Sequence, residues 1–275
     1  LMRNLHRGGG ALPSLATVLA IALSMTVNLG CRGGRELSHA SPPRVDPHAD
    51  QLLRRMSRFF AQRSAFVTVK TTHLRIHPGA KQQPPIVGRV EFAMKRPNKM
   101  RQAQIVEGRL SRLSVSDGLK HYLYLPDQKA CTVRSAAPSL LGYSLPGGII
   151  EYLVQSSPYE ALQKDLESAT YKESDVLAGV RCHHVTLTRK GHAGTWDLWV
   201  QTGRRPLPRQ QVIYKPSAFV EYPQPEKRVF RDATIQAVFT DWEFDKGVRE
   251  ELFVYVAPAG TTINSESKEP ALRIR

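Results

Sequence analysis

The chain has 275 residues, 41% of them hydrophobic, and a formal net charge of +15 at pH 7. This length suits one domain with a full core, or one domain plus tails. Because the basic residues are scattered along the chain and no nucleic-acid-binding motif is present, nucleic acid is not an expected partner. Anionic lipid headgroups or acidic envelope polymers fit the charge better, and a solvated basic surface without a dedicated partner is the alternative.

Residues 1–30 have the layout of a signal peptide for export. A basic start precedes an apolar stretch, 15–27, that is too short to span a membrane, and a glycine stands directly before Cys31. We predict that Cys31 carries a lipid anchor, which holds the protein on the periplasmic face of the cell envelope. Because Arg32 follows in place of aspartate, the outer membrane is favoured over the inner one. The alternative is an ordinary signal peptide whose removal leaves an incidental cysteine.

A flexible tether, 31–45, and a helix are predicted next. The tether is rich in Gly, Ser, Pro and Arg. Asp46 is suited to cap the free amides of a helix, and Pro47 is suited to its first position. Apolar residues then fall at i, i+3, i+4, i+7 and i+11 from Ala49, which predicts one apolar helix face. We expect this helix to open a domain that spans residues 46–263.

Strand-like segments separated by turn signals fill most of that domain. Their short spacings favour an antiparallel meander over parallel βαβ units. The predicted strands cover residues 66–76, 86–95, 100–107, 110–116, 119–125, 130–133, 171–177, 180–188, 195–201, 209–214, 233–244 and 252–256. The sequence therefore predicts a mainly β chain with helices (α+β), with about eleven strands in one antiparallel sheet and a tail at 264–275.

A helical insertion at about 136–168 interrupts the strand pattern. A Pro/Gly-rich loop leads into a short apolar helix. The apolar residues of this region are Ile149, Ile150, Leu153 and Val154. Ser157 then opens a second helix, with proline after it and Glu160 three residues on, which is a capping box. We expect the insertion to cover one face of the sheet and to move more than the strands do.

Three segments, in this order and spacing, resemble parts of the lipoprotein carriers LolA and LolB. They are residues 92–101 with an Arg-Pro-Asn turn, residues 116–127 with a Ser-Asp-Gly turn and an aromatic strand, and residues 252–260. Residues 177–184 and 196–209 resemble a related bacterial family of unknown function that is predicted to be periplasmic. The resemblance covers about residues 46–263, which is the size of a domain.

The resemblance implies a strongly curved antiparallel half-barrel with a helical lid. In the carriers, an apolar cavity between sheet and lid holds acyl chains. Arg96 matches the arginine that bonds to the lid helices in the carriers, so the resemblance implies a lid latch at Arg96. Strand alternation adds sheet residues to the predicted cavity. The predicted cavity residues are Val90, Phe92, Met94, Tyr122 and Tyr124 from the sheet and Ile149, Ile150, Leu153 and Val154 from the lid. The alternatives are ordinary core packing for these residues and a solvated turn for Arg96.

Three hypotheses for function remain open. The first is a monomeric lipoprotein of the envelope that binds a lipid, an acylated protein or another amphiphile without catalysis. The second is an envelope sensor that binds a partner protein, because the regulator RseB shares the fold of the carriers. The third is a hydrolase with an unrecognised site. No nucleophile elbow, phosphate loop, dinucleotide fingerprint or metal-ligand spacing is readable, so we expect no enzyme activity, no cofactor and no metal.

Two cysteines besides Cys31 lie in predicted strands. In an oxidising compartment Cys131 and Cys182 are candidates for a disulfide. Pairing requires their two strands to be neighbours. Two buried free thiols are the alternative.

Overall fold

The structure is a computed structural model that describes residues 43–76, 86–190, 194–220 and 228–265. Side chains are described in these ranges except at residues 86, 215–220 and 228–232. The predicted signal peptide and Cys31 lie outside the described residues, as does most of the predicted tail. Within the described ranges, no helix is long and apolar enough to cross a membrane.

Helix α1, Pro47–Ala61, begins where the sequence predicts. The Asp46 carboxylate accepts hydrogen bonds from the backbone N–H groups of His48 (2.7 Å) and Ala49 (3.2 Å), which caps the helix. The predicted apolar face is buried, with Ala49, Leu52, Leu53, Met56 and Phe60 all in the core. This helix therefore owes its place to the apolar spacing that the sequence shows.

Thirteen strands in the described residues form one open, curved sheet, which confirms the α+β class. They are β1 Arg44–Val45, β2 Ala65–Ile76, β3 Ile86–Lys95, β4 Lys99–Val106, β5 Arg109–Ser116, β6 Lys120–Leu125, β7 Ala130–Ser135, β8 Leu166–Leu177, β9 Val180–Arg189, β10 Thr195–Gln201, β11 Pro208–Val220, β12 Arg228–Phe244 and β13 Thr262–Ser265. Their order is β1-β8-β9-β10-β11-β12-β2-β3-β4-β5-β6-β7-β13. Neighbours are antiparallel except at the two edges, where β1 pairs parallel with β8 and β13 pairs parallel with β7.

The sheet differs from the predicted one at its edges and near its C-terminal end. Strand β1 lies within the predicted tether, and β13 includes the first two residues of the predicted tail. The predicted strand 252–256 is wrong, because a 3₁₀ helix, Glu250–Phe253, occupies its start. Phe253 is buried with Ala65, Ala93 and Val248. Packing on a face of the sheet, rather than pairing at an edge, fixes this segment.

The two faces of the sheet are covered by different parts of the chain. One face, which we call the lid face, carries Phe66, Phe92 and Met94 in the same buried cluster as α1. The opposite, outer face carries Ala65 and Ala93 against the C-terminal segment. Because successive residues of a strand point to opposite faces, these anchors assign the other strand positions to one face or the other.

A helical insertion between β7 and β8 lies over the lid face. This lid segment, residues 136–165, contains a 3₁₀ turn, Leu140–Gly142, and two helices, α2 Ile150–Leu153 and α3 Pro158–Asp165. It ends slightly earlier than predicted, since β8 begins at Leu166. Ser157 stands at the N-terminus of α3 as predicted, but its side chain makes no capping hydrogen bond to the described residues.

Candidate functional site

The apolar residues predicted to face a cavity from β3 and from the lid segment are packed together. Val90, Phe92 and Met94 on β3 are at most 1% exposed. The lid residues Ile149, Ile150, Leu153 and Val154 are at most 2% exposed and belong to the same cluster. The structure therefore brings these seven residues together, in a conformation in which sheet and lid segment are closed on one another.

Polar side chains of the sheet hold the lid segment by its backbone. The Lys70 ammonium donates to the carbonyls of Pro146 and Gly147. The Gln211 amide oxygen accepts from the backbone N–H of Ile149 (3.0 Å). Asn98 reaches the start of the segment in the same way, through the Ala137 carbonyl (2.9 Å). Because residues 136–149 of the lid segment contain only one 3₁₀ turn, their buried backbone groups need such partners.

Arg96 makes the most extensive of these contacts. It lies in the turn between β3, which ends at Lys95, and β4, which begins at Lys99, so the predicted tight turn is confirmed. Its guanidinium donates to the carbonyls of Leu153 (3.4 Å), Val154 (2.6 Å) and Gln155 (2.9 Å) at the C-terminus of α2. A cation at this end of a helix is also favoured by the helix dipole.

Lys70 is an unusual group for the interior of a sheet. It is 6% exposed, and burial lowers the pKa of its ammonium to about 8, while Glu151 of the lid segment acts in the opposite direction. The carbonyls of the lid segment offset part of the cost of desolvating this charge. The interior beneath the lid segment is therefore not uniformly apolar.

Tyr122 and Tyr124 do not belong to the predicted cavity. Their neighbour His121 lies on the lid face, where its ring contacts the ring of Tyr143 in the lid segment (centroids 4.9 Å apart). Tyr122 therefore points to the outer face, where it stacks on Tyr255 (centroids 5.0 Å apart). The prediction was wrong because strand periodicity identifies two faces but does not say which is covered.

The predicted disulfide is also wrong. Cys131 and Cys182 are both buried free thiols. Cys131 lies on β7 and Cys182 on β9, and eight other strands separate β9 from β7 in the sheet order. The alternative of two buried thiols is the one that the structure supports.

The sequence analysis missed a row of buried polar residues on the lid face of β4 to β7. Gln102 and Gln104 of β4 are at most 2% exposed, and Ser114 and His121 are at most 4% exposed. Gln104 is directly opposite Val90 on one side and Arg112 on the other, and Gln102 is opposite Phe92 and Ser114. The polar row, Gln102, Gln104, Arg112, Ser114, His121 and Arg134, is therefore contiguous with the apolar residues of β3.

Several atoms of the polar row lack hydrogen-bond partners within the described part of the chain. They are Gln102 Oε1, Gln104 Oε1, Gln104 Nε2 and Arg112 Nε, all fully buried. A buried polar atom without a partner costs about 1–3 kcal/mol. A polar ligand or water molecules at this place would supply partners for these donors and acceptors.

Two arginines bring positive charge to the outer end of the polar row. Arg134 is exposed and Arg112 is half-buried, and neither forms an ion pair with any other described residue. Arg134 Nε donates to His121 Nδ1 (2.9 Å), so the neutral ring carries its proton on Nε2 and donates to Ser114 Oγ (2.6 Å). Burial, with Arg134 and Arg112 adding to it, lowers the pKa of His121 to about 4.

Two other features of the described residues bear on ligand and metal binding. A depression of about 400 Å³ lies on the outer face, away from the lid segment. It is lined by His73, Arg75, Val212, Thr234 and Gln236. Within the described ranges, no group of three or more His, Cys, Asp and Glu residues is arranged to hold a metal ion.

The open, curved sheet, mostly antiparallel, with an N-terminal helix and a helical segment on one face, agrees with the architecture that the sequence resemblance to LolA and LolB implied. The chain belongs to the family described as "Predicted periplasmic protein (DUF2092)", whose model matches residues 49–264. No curated protein matches the chain.

Solved structures with a similar course of the chain come from several bacteria. An uncharacterized conserved protein from Thermus thermophilus is 10% identical, with a TM-score of 0.43, over 79% of this chain and 99% of its own. The lipoprotein LppX from Mycobacterium tuberculosis is 11% identical, with a TM-score of 0.41, over 72% of this chain and 96% of its own. A LolA superfamily protein from Nitrosomonas europaea is 10% identical, with a TM-score of 0.31, over 75% of this chain and 97% of its own.

Proposed function

We propose that this protein binds an amphiphile between the sheet and the lid segment, without catalysis, in the bacterial cell envelope. The observation that carries the proposal is that Arg96 holds the end of α2 through three backbone carbonyls. We propose that Arg96 is the latch of the lid. We also propose that the domain spans residues 46–263 and that the lid segment moves more than the strands do.

The energetics of opening support a ligand with an apolar part. When the lid segment lifts, water replaces its polar contacts with Arg96, Lys70 and Gln211, so each lost hydrogen bond costs only its net contribution, about 0.5–1.5 kcal/mol, or about 1.5–3 kcal/mol where the donor is charged. Water offers no comparable replacement for the contacts between apolar side chains. Uncovering Val90, Phe92 and their neighbours costs about 25 cal/mol for each Å² exposed. An acyl chain that fills this surface removes that cost, so it stabilises the open form.

Removal of the latch tests the proposal. Arg96→Gln is compared with Arg101→Gln, a variant of the same net charge on β4 that lies on the outer face. We expect Arg96→Gln to lower the free energy of unfolding by about 2 kcal/mol, since it loses hydrogen bonds from a charged donor. We also expect faster amide exchange at residues 139–157 and faster uptake of a fluorescent fatty acid, whereas Arg101→Gln should match the wild type in uptake.

Two results would contradict the proposal. One is the absence of probe binding by the wild type together with no lipid in native mass spectra of protein purified from its own membranes. The other is amide exchange at residues 139–157 that is as slow as at residues 86–95. Copurification of a partner protein in place of lipid would instead favour the envelope sensor.

We also propose that Cys31 is a lipid anchor, with the outer membrane as the favoured location. The support is the signal pattern at residues 1–31 and membership of a family described as periplasmic. Cys31→Ala should lose both the acyl mass and the association with membranes. A Cys31→Ala protein that keeps both would contradict the anchor.

A further inference from the structure

We propose that the polar row on β4 to β7 is the subsite for an anionic, oxygen-rich headgroup, a phosphate or a carboxylate, whose acyl chain lies over β3. This inference rests on the proposed amphiphile binding and specifies the ligand's polar end. The headgroup lies between Arg112 and Arg134, and its neutral ester or hydroxyl groups face Gln102 and Gln104.

The register of the sheet gives the ligand its direction. Val90, Gln104 and Arg112 are directly paired across β3, β4 and β5, and Phe92, Gln102 and Ser114 form the next row. Adjacent strands lie about 4.8 Å apart, so two strand spacings, about 10 Å, lead from an apolar surface to a cationic one. An amphiphile laid across the strands meets this gradient with its tail at one end and its headgroup at the other.

The sign of the charge follows from the groups at the outer end of the row. The charges that act on His121 are those of Arg134 and Arg112, and Arg134 also disfavours the charge of Arg112. Two cations that repel one another beside a neutral histidine favour an anion between them. Arginine is also the side chain whose geometry best matches a phosphate or carboxylate.

The unpartnered amide atoms favour a headgroup with both acceptors and donors. Gln104 offers a buried donor and a buried acceptor, and Gln102 offers a buried acceptor. Ester carbonyls and hydroxyl groups near the head of a lipid supply the complementary partners. A carboxylate or a fully ionised phosphate has no donor, so by itself it leaves the amide oxygens of Gln102 and Gln104 unpartnered.

Binding of four probes to the wild-type protein tests the inference. The probes are hexadecyl phosphate, palmitate, hexadecan-1-ol and inorganic phosphate. We expect both anionic amphiphiles to bind at least about tenfold more tightly than the alcohol, which corresponds to about one charge-assisted hydrogen bond. Inorganic phosphate should compete poorly, because it lacks the tail.

Two variants and a control test whether the polar row causes the preference for anionic amphiphiles over the alcohol. Arg112→Gln and Arg134→Gln should each reduce the preference for hexadecyl phosphate over the alcohol to within about threefold, while the alcohol still binds. Arg101→Gln, which removes the same charge from the outer face, should keep the full preference. Thermal unfolding of each variant checks that it is folded.

The possible failures are distinguishable. If no amphiphile binds the wild type, the proposed function itself is wrong. If the alcohol binds as tightly as the anions, or if Arg101→Gln loses the preference as much as Arg112→Gln does, amphiphile binding stands and the headgroup subsite is refuted. If inorganic phosphate binds as tightly as hexadecyl phosphate, the row is an ion site and not the end of an amphiphile site.

Discussion

The lid face of the sheet has buried side chains on both of its sides, but the chemistry of these side chains differs between the two sides. The apolar side, on β8 to β12, contributes Leu187, Leu198 and Phe239 to the main cluster, all at most 1% exposed. On the other side, four residues of the polar row are buried almost as deeply, and four polar atoms of the row have no hydrogen-bond partner in the described part of the chain. Single buried atoms without a partner also occur on the apolar side, at Trp196 Nε1 and Gln211 Nε2, whereas the polar row has four of them at adjacent positions of β4 and β5.

The two sides of the lid face are also covered by different parts of the chain. On the apolar side, α1 packs its whole apolar face into the cluster, with Phe60 in edge-to-face contact with Phe66 and Trp242. On the polar side, Tyr143 of the lid segment contacts His121 and shares a hydrogen bond with Ser116 (2.8 Å). The lid segment also packs apolar side chains against β3, but the polar contacts around Tyr143 give way more easily than the aromatic packing around Phe60.

The largest expected effect is on the apolar side. Phe60→Ala removes a fully buried ring that contacts four other aromatic residues. We expect it to lower the free energy of unfolding by about 4 kcal/mol, measured by urea denaturation. Phe59→Ala is the matched control, because Phe59 is only half-buried, and it should cost clearly less. Equal losses in the two variants would contradict the assignment of this side as rigid core.

A smaller, pH-dependent effect should come from the polar row. The ordinary pKa of histidine is 6.5, and the pKa of His121 in the folded protein is about 4. Between these values the unfolded chain binds a proton that the folded protein does not, so the free energy of unfolding falls as the pH falls. The loss from this group approaches about 3 kcal/mol at pH 4.

His121→Gln isolates this effect from the carboxylates that titrate in the same range. Denaturation midpoints of the wild type and the variant, measured from pH 7 to pH 4, should converge or cross as the pH falls. Parallel curves would show that His121 is not in a cationic, desolvated environment. The polar row would then not differ from the rest of the lid face in its electrostatics.

The sequence was sufficient for features that depend on local spacing. Asp46, Pro47 and the apolar period predicted α1, and the turn at Arg96 separated β3 from β4 as expected. The prediction of which side chains of β3 face the lid segment was also correct, because Val90 and Phe92 alternate with residues that are more polar. These features follow from short-range preferences that the fold does not override.

Features that depend on distant partners were not predictable in the same way. Along β4, Met100, Gln102 and Gln104 alternate with Arg101 and with apolar residues. This pattern does not indicate which face of the strand is buried. Only the covering segment, far away in sequence, decides that the glutamines are inside. The edge strands β1 and β13 are too short to carry a period, and their pairing depends on β8 and β7.

The smallest expected effect tests the central claim, that the polar row is kept for a ligand and not for stability. Gln104→Leu replaces two unpartnered buried amide atoms by an apolar side chain of similar size. Gln211→Leu is the comparison, since Gln211 is equally buried on the lid face and also has an unpartnered Nε2, but its Oε1 accepts a hydrogen bond from the Ile149 backbone N–H.

The free energy of unfolding of these two variants, from urea denaturation at pH 7, is the most direct measurement. We expect Gln104→Leu to be more stable than the wild type by about 1–2 kcal/mol, and Gln211→Leu to be less stable by about 1–2 kcal/mol. If Gln104→Leu is instead destabilised as much as Gln211→Leu, then the Gln104 amide is satisfied in the folded protein, and the polar row is ordinary core.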